Sequence, residues 1–167
     1  GAKGVIVHGG SVGEGGDIGA GYDNWRKALE HVEDTGMKVL VENTAGGKNS
    51  VARYMDSIER LWEVIGHLNV GLCLDTCHTW AGGIPTIDAV KGFKKLVKKI
   101  DLIHFNDSKD GFESSRDRHE NLGKGKIPKE ELEYVIKNAK TDIIVETPNG
   151  PDAQKKDIAW IRRRLKK

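Results

Sequence analysis

Lys38-Val39-Leu40-Val41-Glu42-Asn43-Thr44-Ala45-Gly46-Gly47 is an apolar run that ends on a carboxylate and then breaks into glycine. A strand covered on both faces reads this way, because it has no solvent side on which polar residues could alternate. With Lys38–Glu42 as one such strand, four more follow the same rule. Val5–His8, Val70–Asp75, Leu102–Asn106 and Ile143–Glu146 are short apolar runs that close on a polar residue.

Helical stripes lie between these runs. Trp25, Leu29 and Val32 recur at spacings of four and three, and Tyr54, Ile58, Leu61, Trp62 and Ile65 form a longer stripe. Phe93, Leu96, Val97 and Ile100 mark a third helix, Leu132, Val135, Ile136 and Ala139 a fourth, and Ile158, Ile161 and Leu165 a fifth. Gly36 stops the first helix and Pro128 starts the fourth.

Strict alternation of strand and helix predicts a parallel sheet with right-handed crossovers. The glycine-rich loops, Gly9-Gly10, Gly13 to Gly16, Gly46-Gly47, Gly82-Gly83 and Gly123 to Gly125, all come after strands. They fall at the strand C-terminal ends, the face that carries the active site in a βα barrel. The expected fold is therefore α/β: a parallel (β/α) barrel of TIM type with about five βα units, a partial barrel forming one domain over residues 1–167. Five units do not close a barrel, so two parallel edges are left that must be covered, for example by homo-oligomerisation. The chain opens on Gly1-Ala2-Lys3-Gly4 and enters its first strand at once, as expected of a processed chain or a piece of a longer barrel.

Composition sets wider bounds. The 167 residues are 37% hydrophobic and 31% charged, as in ordinary globular proteins rather than disordered ones. No apolar run reaches spanning length, so no membrane partner is expected. A net charge of +2 neither announces a nucleic-acid partner nor excludes one. The two cysteines, Cys73 and Cys77, fall in one strand-like segment. Side chains along a single strand do not meet, so free thiols and a reducing, cytoplasmic setting are expected.

The residues that close the strands carry chemistry. His8, Glu42, Asp75 and His104 end four of them, Glu146 ends the fifth, and His78 follows Asp75 in what reads as a loop. Asp117 and His119 form an Asp-x-His pair beyond His104, and alternate residues of an extended segment can grip one ion. Taken singly, each has a plain reading as a cap, an ion-pair partner or a satisfied core polar group. Together they place imidazoles and carboxylates at one end of five strands, which burying a core does not require. Mixed imidazole and carboxylate suits zinc, with manganese next. A carboxylate such as Glu42 can bridge two ions, and such clusters favour phosphate-ester cleavage. Cys73 and Cys77 could ligate in principle, but their spacing is poor and core packing is the expectation.

His31 and His67 fall in or at the ends of helices and read as surface residues. Lys91, Lys94, Lys95, Lys98 and Lys99, with Arg162 to Arg164, read as solvated helix faces. Lys48, Lys109, Arg116, Arg118, Lys124 and Lys126 lie in loops on the metal side, where they could meet phosphates.

Four stretches, in this order, resemble the endonuclease IV family of zinc-dependent apurinic/apyrimidinic (AP) endonucleases of DNA repair. They are Val41-Glu42-Asn43-Thr44-Ala45-Gly46; Cys73-Leu74-Asp75-Thr76-Cys77-His78; His104-Phe105-Asn106-Asp107-Ser108-Lys109; and Asp117-Arg118-His119 with Leu122-Gly123-Lys124-Gly125. The resemblance covers nearly the whole chain. It implies a βα barrel with three zinc ions: Asp75, His104 and Glu146 on one, Glu42 bridging to a second that His8 also serves, and His78, Asp117 and His119 on the third. It further implies catalytic roles for Glu42, Glu146 and His104, and DNA contacts from Lys109, Arg116, Arg118 and Lys124. The implied substrate is double-stranded DNA with abasic sites. The phosphodiester is cut on the 5′ side of the lesion, and blocked 3′ ends are trimmed. About three βα units that precede His8 in that family are absent here, with one histidine ligand of the second ion. Two other readings remain: a sugar isomerase or epimerase on a related xylose-isomerase-like barrel, against which the Asp117-Arg118-His119-Glu120 and Leu74-Asp75-Thr76-Cys77-His78 segments argue, and a metal-stabilised DNA-binding remnant that does not cut.

Overall fold

The computed structural model describes residues 1–166. In chain order it contains β1 (Val5–His8), α1 (Ile18–Val32), a 3-10 turn (Glu33–Thr35), β2 (Val39–Glu42), α2 (Met55–Ile65), β3 (Val70–Asp75), α3 (Thr76–Gly82) and α4 (Thr86–Leu96). Then follow β4 (Leu102–His104), β5 (Asp107–Ser108), β6 (His119–Glu120), α5 (Lys129–Ala139), β7 (Asp142–Ile144) and α6 (Gly150–Leu165). The five expected strands pair in parallel in the order β1-β2-β3-β4-β7. β5 and β6 form a separate antiparallel pair, Asp107 opposite Glu120 and Ser108 opposite His119.

Sequential parallel neighbours are the βα-barrel topology. Within the described residues the sheet does not close, and β1 and β7 remain its edges. Val5 and Val7 on β1 are 47% and 40% exposed, and Ile144 on β7 is 45% exposed. An apolar groove of about 770 Å³ runs along β1 and α1, lined by Val5, Val7, Trp25, Leu29, Val32 and Met37 among others. None of the polar residues that end the strands lines it, although it reaches Gly9 and Gly10 just past His8. No helix among the described residues is long and apolar enough to cross a membrane.

The core lies between the sheet and its helices. Val41, Leu72, Leu74 and Ile103 alternate along their strands with inward residues, and they pack on Ile58, Leu61 and Ile65 of α2, Phe93 of α4, and Leu132 and Val135 of α5. Each of these helix residues is fully buried. Local signals start and stop the elements. The Asp17 side chain caps α1 by accepting from the Gly19 N–H at 2.9 Å. Gly36 takes the left-handed conformation (φ 67°) that ends the 3-10 turn, and Pro128 directly precedes α5.

Several local expectations need correction. Asn106 and Glu146 lie just beyond their strands, and the strand expected from Lys38 begins at Val39. The stripe through Val97 and Ile100 outruns α4, because Val97 turns extended (φ −116°, ψ 140°), although Ile100 is still fully buried. Cys73 and Cys77 are not on one strand: β3 ends at Asp75, and Cys77 with His78 belongs to α3. The cause is Asp75, whose carboxylate accepts from the His78 N–H at 2.8 Å and so caps a helix where a loop is expected.

Candidate metal centre

Register brings the strand-end residues together. His8 is opposite Glu42, Glu42 opposite Cys73, Asp75 opposite His104, and His104 opposite Ile144. Asp75 is thus two residues past the partner of Glu42, and Glu146 two past the partner of His104. Steps of two keep the same face, so all five side chains point into the barrel side of the sheet. The stagger is that of strands tilted against a barrel axis.

Two groups of donors result. Ligand atoms of Glu42, Asp75, His104 and Glu146 lie within 4.8 Å of one another, and so do those of His78, Asp117 and His119. In the first group, His104 Nδ1 is 3.0 Å from Glu42 Oε1 and 3.0 Å from Glu146 Oε2. In the second, Asp117 Oδ1 is 3.0 Å from His78 Nε2 and 3.2 Å from His119 Nε2. Donors on a tetrahedral zinc with bonds near 2.05 Å sit about 3.3 Å apart. Glu42, Asp75 and His78 are almost wholly buried, while Asp117 and Glu146 are half-exposed at the mouth.

The buried Nε2 atoms of His78 and His119 have no hydrogen-bond partner, although Asp117 is close to both. An orphaned buried polar atom is costly, and two aimed at one carboxylate oxygen fit a cation. The opposite ring nitrogens are occupied. His78 Nδ1 is 2.9 Å from the Asn43 carbonyl oxygen, and His119 Nδ1 is 3.2 Å from that of Glu146. Donation to a carbonyl at Nδ1 leaves Nε2 as the ligating lone pair, the usual support of a metal-binding imidazole. The residues therefore fit divalent ions.

His8 joins less completely. Its Nε2 is 3.4 Å from Glu42 Oε2, its ring sits edge-on to His78, and it groups with Glu42 and His78. His78 thus belongs to two donor groups, and this third subsite has only His8 to itself. Cys73 lies with Glu42 and His104, and Cys77 with Asp75 and His119. Both thiols are free and fully buried. Burial, reinforced by Glu42 and Asp75 at Cys73 and by Asp75 at Cys77, pushes both well above the usual thiol range, as for cysteines that pack rather than react.

Supporting polar residues had no assigned role in the sequence. Asn43 Oδ1 accepts from the Asp75 N–H at 2.8 Å and its Nδ2 donates to the Asp75 carbonyl at 3.1 Å. Asn106 Nδ2 donates to Asp75 Oδ2 at 2.7 Å while Asn106 Oδ1 accepts from the Glu146 N–H at 2.8 Å. Their only sequence signal is position: one follows Glu42 directly, the other follows His104 by two.

The basic loop residues split. Arg118 forks onto Asp110, its Nε 2.6 Å from Oδ2, and Arg116 Nη1 is 3.6 Å from the same carboxylate. Lys109 and Lys124 are exposed. Lys124 sits in a loop held by buried Asp107, which accepts from the N–H groups of Gly123 and Gly125 at 3.0 Å and of Ile127 at 3.1 Å. A Cβ on Gly125 would lie 2.3 Å from Asp107 Oδ1, so only glycine lets this loop close. Buried Arg53 donates to the Gly82 carbonyl and to Ser115 Oγ, which pins the segment leading to Asp117.

Without metal the imidazoles hold protons. Burial alone would lower His78 and His119, but Asp75 and Asp117, with Glu42 at His78, outweigh it and raise His78 to about 10 and His119 to about 9. The two imidazoles beside it, His119 first and then His78, hold Asp117 well below the usual carboxylate range. Folded values above the ordinary 6.5 mean that these histidines stabilise the metal-free protein fully below that pH and progressively less as pH rises through about 9 to 10. Asp117 acts in the opposite sense, losing its contribution as pH falls below the carboxylate range. The melting temperature of metal-free protein should therefore fall between neutral and alkaline pH, and zinc uptake near neutrality should release protons. A flat pH profile with proton-neutral uptake would contradict this electrostatic picture.

Comparison with known proteins agrees with this geometry. Residues 1–164 match the family model described as "Xylose isomerase-like TIM barrel". The chain is 49% identical over 164 residues to a protein named "Probable endonuclease 4" from Mycobacterium tuberculosis, covering 98% of this chain and 64% of that one. A protein of the same name from Mycobacterium ulcerans is 47% identical over 165 residues, again with 64% of its length covered. The chain thus spans about two thirds of these relatives. Endonuclease IV from Thermus thermophilus superposes with a TM-score of 0.77 at 28% identity, over 99% of this chain and 62% of that one. A D-tagatose 3-epimerase-like protein superposes at 0.73 with 19% identity, which speaks to the fold alone. The chain belongs to the xylose isomerase-like TIM barrel family, and within it is similar to proteins named endonuclease 4.

Proposed function

We propose that this chain carries the catalytic face of an AP endonuclease of the endonuclease IV type. It would hydrolyse the phosphodiester 5′ to an abasic site in duplex DNA, leave a 3′ hydroxyl, and trim blocked 3′ ends. The observation that carries the reading is the pair of donor groups, Glu42-Asp75-His104-Glu146 and His78-Asp117-His119, at one end of the sheet. The resemblance to proteins named endonuclease 4 supports it.

Ions held by these groups, zinc first and manganese next, would supply Lewis-acid chemistry, lowering the pKa of a water and neutralising charge on phosphoryl oxygens. The chain's own residues do the rest. Glu42 lies between the subsites, facing His104 through Oε1 and His8 through Oε2, and so fixes their spacing. His104 Nδ1 is held between Glu42 and Glu146, which fixes the orientation of its ring. Lys109 and Lys124, with the Asp110-bound pair Arg116 and Arg118, would meet the DNA backbone and position it without reading sequence. The free, buried thiols fit work in a reducing cytoplasm.

The test is a nicking assay on a duplex with one abasic site, using zinc-loaded protein. A single cut on the 5′ side of the lesion, leaving an end that a polymerase extends, is expected. Salt-sensitive binding without a cut would instead identify a DNA-binding remnant. Ketose conversion without a cut would identify a sugar isomerase.

A further inference from the structure

Asp157 is an acid inside the protein. It belongs to α6, on the helical side of the fold, yet it is only 4% exposed. Its carboxylate accepts three hydrogen bonds, all from neutral donors: Asn121 Nδ2 at 2.7 Å, the Leu122 N–H at 3.0 Å and Thr147 Oγ1 at 2.6 Å. Burying a carboxylate without a cation is expensive, and holding a helix against a sheet does not require it. Ile161 of the same helix already does that as part of the apolar core.

The donors show what the charge accomplishes. Thr147 follows Glu146 directly, and Asn121 follows His119 by two residues. Glu146 belongs to one donor group and His119 to the other. Their segments lie far apart in sequence and touch through His119 Nδ1 and the Glu146 carbonyl oxygen, 3.2 Å apart. The same clasp extends outward. Asn121 Nδ2 also donates to the Pro148 carbonyl at 3.1 Å, Asn149 Nδ2 donates to Asn121 Oδ1 at 2.7 Å, and Gln154 Nε2 donates to the Thr147 carbonyl at 3.0 Å. Both segments are thus tied to one carboxylate on one helix.

We infer that Asp157 is a positioning residue of the metal centre: by gripping Thr147 and Asn121-Leu122 together it sets the distance between Glu146 and His119, and so the spacing of the two ion subsites. It touches neither ion nor substrate. The inference rests on the metal-centre reading above but not on the reaction proposed for it. An ionised carboxylate suits the task because it is acceptor-only and can meet three donors at once. Asparagine at this position would turn an amide N–H₂ toward other donors.

Zinc affinity, read by competition with a chromophoric chelator, tests the idea alongside the melting temperature of the metal-free form. Three variants are compared: Asp157→Asn, Thr147→Val, which removes one donor at nearly constant shape, and Ile161→Val, which loosens the same helix from its apolar side. Removing outer support of metal ligands weakens binding by roughly 10- to 100-fold, and a loss of about tenfold is expected in Asp157→Asn, with a smaller one in Thr147→Val. Ile161→Val should melt earlier and bind zinc like the unsubstituted chain. Unchanged affinity in Asp157→Asn would overturn the inference. So would an affinity loss in Ile161→Val that tracks its melting temperature, because the clasp would then be structural only. Should Asp157→Asn fail to fold, Thr147→Val decides: weaker zinc binding supports the inference and unchanged binding overturns it. If the unsubstituted chain binds zinc but leaves abasic duplex uncut, the endonuclease reading fails while the affinity series still judges Asp157. A chain that takes up no zinc sinks both.

Discussion

Glu42→Gln should reduce nicking of abasic duplex by about a thousandfold or more, equivalent to about 4 kcal/mol of lost transition-state stabilisation. Glu42 is the one side chain shared by three of the donor groups. Its Oε1 is 3.0 Å from His104 Nδ1 and 3.4 Å from His78 Nδ1, while its Oε2 faces His8 Nε2 at 3.4 Å. Glutamine preserves the shape but removes the charge and turns one oxygen into a donor facing imidazoles. The cluster then loses both a bridge and part of the field that attracts cations. Because the change is nearly isosteric, helical signal and solubility should be retained, with metal content reduced. Turnover within tenfold of the unsubstituted chain, at equal zinc loading, would show that Glu42 is an ordinary buried acid. Glu146 offers a contrast: it belongs to one group only and is 43% exposed, so Glu146→Gln should leave the second donor group able to bind its ion.

Removing the metal should have the larger effect. Dialysis against a strong chelator should abolish nicking, and added zinc should restore it. The fold should survive, since protonated His78 and His119 can pair with Asp117 when no cation is present. It should nevertheless be weaker. An ion bound at a thousand times its dissociation constant stabilises the folded state by about 4 kcal/mol, and that contribution disappears with the ion. Melting curves with and without zinc, at one pH, provide the check. Full activity in excess chelator would remove metal chemistry from the proposal, and a chelated chain without helical signal would show that the ions hold the fold together.

Much of this was legible in the residues because burial on both faces leaves a plain mark. Runs such as Val39-Leu40-Val41 have no polar alternation, so their polar ends stand out and mark the C-terminal face. The donors needed no further clue. What the sequence hid depends on contacts between distant segments. Cap and ligand are alternative readings of Asp75 in the sequence, and only the hydrogen bond to the His78 N–H shows that it caps α3 while facing the donor cluster. The sharing of His78 between two donor groups is likewise set by where α3 places it. Asp157 sits beside the stripe Ile158, Ile161 and Leu165, where an acid ordinarily faces solvent. Its burial arises from two segments that reach it from elsewhere in the chain. Arg118 is forked onto Asp110, a pairing that no periodicity could announce.

The two-residue steps between neighbouring strands bear on how such a protein can change. Losing a single residue from within Val70–Leu74 would rotate Asp75 to the helix-facing layer and bring an aliphatic neighbour into the cavity, dismantling both donor groups at a stroke. A residue gained in the Gly9–Asp17 segment would lengthen a connection and leave every ligand where it was. Insertions and deletions in descendants of this chain should therefore collect between strand and helix, and the strand interiors should vary by substitution while keeping their length.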